Sequence, residues 1–180
     1  MKVGVISDTH LVTGGLGLRK LAAQVVSKNT QGLDYLEEVL EKHFKNRVER
    51  IFHAGDITDR GVIDLLEEFA PVDAVIGNMD MADLRQSLPI KKVIEIGGRR
   101  VGLIHGWGSP TGIIERIRKE FDGVHAIVFG HTHAPTNRTE DDIYFFNPGS
   151  PIDRRFAPYR SIGILTIEPD SVNGEIIKLD

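Results

Sequence analysis

The chain has 180 residues, 41% of them hydrophobic, and carries a formal net charge of −4 from 22 basic and 26 acidic residues. That supports one packed domain over residues 1–180 and is too short for two comfortable ones. The charges are interleaved, so neither a nucleic-acid stripe nor a charged tail is indicated, and the absence of cysteine confines any metal site to nitrogen and oxygen donors.

No stretch reaches transmembrane length, and the apolar opening is too short for a signal peptide. A cytoplasmic protein without a membrane partner is expected, although a chain lacking cysteine is equally compatible with export.

The first predicted strand, residues 3–6, runs into the loop Asp8-Thr9-His10. Gly14, Gly15 and Gly17 follow, but neither G-x-G-x-x-G nor a Walker lysine accompanies them, so they predict a turn rather than a phosphate cradle. Helices are predicted over 18–28 and 33–43; the second places Leu33, Leu36, Val39 and Leu40 on one face and Glu37, Glu38 and Glu41 on the other. A strand over 50–53 leads to Gly55-Asp56. A helix over 61–69, apolar at Val62, Ile63, Leu65, Leu66 and Phe69, is ended by Pro71. The strands at 72–76 and 101–104 lead to Gly77-Asn78 and His105-Gly106.

Ser109 is the expected cap, and Pro110 the first position, of a helix that turns Ile113, Ile114 and Ile117 inward and closes at Phe121-Asp122-Gly123. A strand over 126–129 then delivers Gly130-His131-Thr132-His133. The remainder reads as strands at 143–146, 161–167 and 172–179, with Asn173-Gly174 as a hairpin turn that makes the last two antiparallel partners. Strand and helix alternate over two thirds of the chain, and strands dominate the rest. Two facing sheets with helices outside are the economical architecture.

The five early strands are short and β-branched enough to be buried on both faces. Each ends one to three positions before potential ligands: Asp8 and His10, Asp56, Asn78, His105, then His131 and His133. Surface residues have no reason to fall there five times. Chemistry in open α/β sheets collects beyond the carboxyl ends of the strands, which gathers all of these at one rim. Imidazole and carboxylate donors suit first-row divalent metals, and Asp56 is the candidate bridge, because each carboxylate oxygen can bind one ion. Two cations roughly 3.5–4 Å apart can clamp a phosphoryl group and hold a hydroxide formed at a pKa near 7.

Asp8-x-His10, Gly55-Asp56, Gly77-Asn78, His105-Gly106 and Gly130-His131-Thr132-His133, in this order, resemble the calcineurin-like metallophosphoesterases. Chain length and Asn147-Pro148-Gly149-Ser150 resemble the small bacterial and archaeal phosphodiesterases of that superfamily, and the resemblance runs from residue 1 to about 165. It implies a four-layer α/β/β/α sandwich. It also implies hydrolysis of a small phosphate ester by in-line attack of a hydroxide bridging two divalent ions, often Mn²⁺, with Ni²⁺, Fe²⁺, Co²⁺ or Zn²⁺ as alternatives. Asp8, His10, Asp56 and His133 would hold one ion, and Asp56, Asn78, His105 and His131 the other. Relatives often form dimers or tetramers, so a homo-oligomer is compatible.

Many members carry G-N-H-D/E, whose histidine helps protonate the leaving oxygen; here the segment is Gly77-Asn78-Met79-Asp80. General acid assistance contributes ~10² to 10⁴ in rate, so without a protein acid the expected substrates are phosphodiesters and aryl phosphates with good leaving groups. Residues 11–32 form an insertion-like stretch that is either a lid or an extra surface helix packed through Leu18, Leu21, Ala22 and Val25. The segment from Asp56 to Gly61 resembles G-D-x-x-D-R-G of related protein phosphatases. Asn78 and Arg60 are therefore substrate-binding candidates, with helix capping or a surface salt bridge as the other role for Arg60, while Asp59 has no imidazole to orient.

His43 is expected to be solvated at a helix end, where the dipole favours it. His53 is expected to be a hydrogen-bonded strand histidine, and His125 carries no signal. Asn147 and Ser150 are either turn residues or site neighbours. Arg154 and Arg155 are substrate or interface contacts unless they are plain surface charge. The rivals to a phosphodiesterase are a non-catalytic scaffold, as in the retromer subunit built on this fold, a phosphomonoesterase and a nuclease.

Overall fold

The computed structural model describes residues 1–12 and 30–179. The predicted helix over 18–28, the glycines at 14–17 and most of the lid stretch lie outside the described residues.

Strand β1 (Lys2–Ile6) is followed by α1 (Thr30–His43), β2 (Arg50–His53), α2 (Arg60–Glu67) and β3 (Val72–Ala74). Next come α3 (Ala82–Ser87), β4 (Lys91–Ile96), β5 (Arg99–Ile104), α4 (Ile113–Arg118) and β6 (Ala126–Val128). β7 (Thr136–Glu140), β8 (Ile143–Asn147), β9 (Ser161–Glu168) and β10 (Ser171–Lys178) complete the order. One sheet runs β10-β9-β1-β2-β3 and the other β4-β5-β6-β8-β7. In the first, β1, β2 and β3 are parallel while β9 is antiparallel to β1; in the second, β5, β6 and β8 are parallel. Both sheets are therefore mixed, and they form the two inner layers of the expected α/β/β/α sandwich.

Period-two alternation explains the layering. Val3 and Val5 of β1 join Phe52, Val101, Leu103, Val128, Phe146 and Leu165 in the core between the sheets. Ile6 points the other way, toward Leu36, Leu40, Phe44, Val62 and Leu66 of the helical layer. Across the second sheet, Ile127, Phe129 and Phe145 pack against Ile113, Ile114 and Ile117 of α4. Burying a side chain of this size contributes about 1.5–3 kcal/mol. Asp59 caps α2 by accepting from Gly61 N at 2.8 Å, typically a further ~1 kcal/mol.

Two predicted signals fail. Asn173 and Gly174 sit inside β10, paired with Thr166 and Leu165, and the hairpin turns at Pro169-Asp170 instead. Gly174 answers to packing: a Cβ there would lie 2.3 Å from the Phe146 ring. The antiparallel pairing of β9 and β10 stands. The helix expected from Ser109 starts at Ile113, capped by Gly112 at φ 74, while Ser109 Oγ accepts from Thr111 N in a separate turn. Strands β4 and β7 carry no clear signal in the sequence, because each is exposed along much of its length.

Both lateral edges are clasped. Asn137 Nδ2 of β7 donates to Gly174 O of β10 at 2.7 Å. At the opposite edge, Asp73 of β3 pairs with Lys92 of β4 and Arg50 of β2. No helix among the described residues is long and apolar enough to cross a membrane.

Candidate metal centre

The loops that leave β1, β2, β3, β5 and β6 bring the seven predicted ligands to one rim. Five of them adopt left-handed backbone: Asp8 (φ 54), His10 (48), Asp56 (55), His131 (68) and His133 (56). Non-glycine residues in that region cost of the order of 1–3 kcal/mol each and persist where their surroundings impose them. Here they do. Asp8 N donates to Gly55 O at 3.0 Å and His10 N to Asp56 O at 3.1 Å. Ser150 Oγ donates to Asp8 O at 2.8 Å, and Asn147 Nδ2 to Gly130 O at 2.9 Å. Asn147 and Ser150 thus shape the ligand loops.

Three of the histidines have one ring nitrogen committed away from the cluster. His105 Nδ1 donates to Ala54 O at 2.7 Å, His131 Nε2 to Gly108 O at 2.8 Å, and His133 Nδ1 bonds Asp153 Oδ2 at 2.9 Å. A carbonyl or carboxylate only accepts, so the opposite nitrogen presents a lone pair inward, the usual support of metal-binding histidine. His105 Nε2 and His131 Nδ1 lie 3.2 and 3.1 Å from Asn78 Oδ1. His10 Nε2 faces His133 Nε2 at 3.2 Å, and His133 Nε2 lies 3.3 Å from Asp8 Oδ1. Donors each ~2.1 Å from one cation stand roughly 3 Å apart, which is the spacing found here.

Two groups result, Asp8 with His10 and His133, and Asp8 with Asp56 and His105, their ligand atoms within 4.8 Å of one another. The division of labour on Asp56 differs from the expectation of one ion per oxygen. Oδ1 accepts from Met79 N at 2.7 Å, and Oδ2 alone lies between His10 Nε2 at 3.6 Å and His105 Nε2 at 3.4 Å. Gly77 allows this approach, since a Cβ there would fall 2.2 Å from Asp56 Oδ1. Asp8 Oδ1 also stands between groups, 4.0 Å from His105 Nε2.

A sequence profile for the calcineurin-like phosphoesterase superfamily domain matches residues 1–170. The chain belongs to this superfamily. It is 36% identical, over its whole length and 82% of the relative, to a protein named "Probable metallophosphoesterase" from Methanocaldococcus jannaschii. It is 25% identical, over 83% of each chain, to a phosphodiesterase of the same organism. Vps29 of Chaetomium thermophilum shares the fold, with a TM-score of 0.73 at 18% identity over 100% of this chain and 86% of that one. Calcineurin-like phosphoesterases use divalent metals, and the convergent donors fit them.

The electrostatics of this phosphoesterase follow from the clustering. Burial opposes charge on Asp56, yet His105, the Met79 N–H and His10 together hold its pKa below the usual value. Burial likewise opposes charge on His105 and His133, but Asp56 and Asp8 raise the first, and Asp8 and Asp153 the second. His53 is the reverse case: burial drives it down to about 4. Its Nδ1 accepts from Gly55 N at 3.2 Å, so the neutral ring donates from Nε2 to Thr9 Oγ1, also at 3.2 Å. It is the expected strand histidine, tying the first two ligand loops together. His125 Nδ1 accepts from Arg100 N, away from the centre. His43 is half-buried, and burial with Lys42 and Arg47 lowers its pKa, which overrides the expected dipole benefit.

Of the two substrate candidates, Asn78 lines the cleft beside the ligands and Arg60 does not. Arg60 pairs with Asp64 one helical turn along α2, at 3.3 Å on the surface. Arg155 does line the cleft, whereas Arg154 does not. Two site residues escaped sequence reasoning. Asp80 accepts from Thr58 N and Gly77 N, both at 2.6 Å, and locks two ligand loops together. Asp153 orients His133 and is itself gripped by Arg155 at 3.1 Å. Burial opposes its ionisation, but Arg155 brings it to about 2. Asp80 had a signal in its motif position; Asp153 had none.

Proposed function

We propose that this protein is a divalent-metal-dependent phosphodiesterase that hydrolyses small phosphate esters using two neighbouring ions. The observation that carries the reading is Asp56 Oδ2, which faces imidazole nitrogens of both donor groups while its other oxygen is occupied by a backbone N–H. Asp8, His10, Asp56 and His133 would hold one ion, and Asp56, Asn78, His105 and His131 the other. The all-nitrogen and oxygen set suits Mn²⁺, the ion expected by resemblance, and also Fe²⁺, Co²⁺, Ni²⁺ or Zn²⁺. Bound ions of this kind supply Lewis acidity, which activates water at neutral pH and neutralises phosphoryl charge.

The chain's own groups support a diester. Met79 lines the cleft and has no proton to give, so leaving groups must depart unaided. Arg155 brings a guanidinium to the cleft, but Asp153 already matches its charge, which leaves less for the dianion of a monoester. The likeness to a named phosphodiesterase points the same way.

The test is Mn²⁺-supported hydrolysis of bis-p-nitrophenyl phosphate against p-nitrophenyl phosphate. Faster diester turnover is expected, and Met79→His should raise turnover of alkyl-leaving-group esters by up to ~10². Preference for the monoester would make the protein a phosphomonoesterase. No turnover with any divalent metal would leave a scaffold on the fold shared with Vps29.

A further inference from the structure

Met79 is 59% and Phe156 69% exposed, and both line the cleft that holds the ligand cluster. Apolar surface left in water forfeits about 25 cal/mol per Å², so placing both beside a polar floor needs a reason. The site itself fixes where they stand. Met79 N is bound by Asp56 Oδ1, and the Phe156 ring lies edge-on to His133 at 5.7 Å between centroids and 83°. Arg155 holds its guanidinium 5.5 Å from the Phe156 centroid while bonded to Asp153, the partner of His133. The groups that organise the ligands therefore also carry the apolar walls.

The cleft measures about 600 Å³, far more than a phosphoryl group alone would fill. An occupant matching its lining is amphipathic, with an anionic phosphoryl end at the ligand cluster and a flat apolar end at the walls. Thioethers and phenyl rings both make favourable contacts with aromatic rings that a saturated chain does not return.

We propose that Met79 and Phe156 form a slot selecting phosphate esters that carry a planar aromatic ring, whether a nucleobase or a simple aryl group. The slot rests on the phosphodiesterase reading, which puts the phosphoryl group on the ligand cluster. Position 79 then exchanges the proton donor of related motifs for ring contact.

Calorimetry on the Mn²⁺-loaded protein tests this with two pairs of diesters, methyl phenyl phosphate against dimethyl phosphate and adenosine 5′-(methyl phosphate) against ribose 5-(methyl phosphate). The ring-bearing member of at least one pair is expected to bind about tenfold tighter, and the pair with the larger ratio identifies the source of the ring. Met79→Ala with Phe156→Ala should bring that ratio within about twofold of unity, and Phe156→Trp should preserve it. Both side chains are largely exposed, so the variants should keep the parent melting temperature. Ring-less esters that bind as tightly as ring-bearing ones, or a preference that survives the double substitution, would overturn the slot alone. Failure to bind any of the four while bis-p-nitrophenyl phosphate is hydrolysed would overturn the slot alone, and the same failure with no diester hydrolysis would overturn the phosphodiesterase reading and the slot with it.

Discussion

Among the described residues, carboxylates are buried at the rim and at one sheet edge, and the two places solve the problem in opposite ways. Asp73 is 3% exposed and faces two cations of the chain itself, Arg50 and Lys92. Asp8 and Asp56, 0% and 2% exposed, face imidazole nitrogens and backbone N–H groups. A buried carboxylate must be compensated by hydrogen-bond donors or by positive charge. At the sheet edge the sequence supplies it; at the rim it supplies lone pairs, and His105 and His133 gain proton affinity in response. The first arrangement is complete in itself. The second is built for a cation from outside.

Asp56→Asn is the sharpest way to break the contrast. It should lower metal-supported diester turnover by at least about 10³-fold and reduce metal content after dialysis, read by hydrolysis assay and elemental analysis. Full activity would remove Asp56 from the centre. Asp153→Asn leaves every ligand in place but weakens the acceptor for His133 Nδ1. Metal affinity should fall about 10–100-fold in a calorimetric titration with the fold intact.

Asp73→Asn tests the other site. Arg50 and Lys92 are 38% and 45% exposed and can rehydrate, so the loss should be about 1–3 kcal/mol of unfolding free energy, with turnover per folded molecule unchanged. Urea titration reads the first quantity, and an activity change of more than about twofold would contradict the separation of the two sites.

Acidity should also distinguish them. His105 and His133 titrate above the ordinary 6.5, so their protons stabilise the metal-free protein below that value, and the benefit fades as pH rises through the elevated pKa. A bound cation must displace these protons, so metal affinity should climb from pH 6 to 8, with proton release detectable by calorimetry in buffers of different ionisation enthalpy. A flat profile would deny the competition. His53 has the opposite sign. Its pKa of about 4 gives stability that is complete above 6.5 and is lost as pH falls toward 4.

The smallest effect is expected from Arg60→Ala. Its exposed pair with Asp64 contributes about 0.3–0.5 kcal/mol, and KM for the diester should move less than about twofold.

The sequence alone determined that β-branched runs end in Asp8, Asp56, Asn78, His105 and His131, because strands buried on both faces leave a period and a composition that can be read without coordinates. Alternation puts Val3 and Val5 on one face of β1 and Ile6 on the other, but only the folded structure decides which face meets the second sheet and which the helices. Edge strands β4 and β7 were hidden because exposure along much of their length relaxes the demand for apolar residues. Asn173-Gly174 misled because the same dipeptide that suits a tight turn also makes room for the Phe146 ring, and only the packing of one sheet on the other decides between these uses. The support of His133 by Asp153, the clasp of Asp73 across two sheets and the left-handed ligand loops likewise belong to the tertiary structure. Each depends on residues far apart in the chain meeting at one distance and angle, which the folded backbone fixes and local propensity does not.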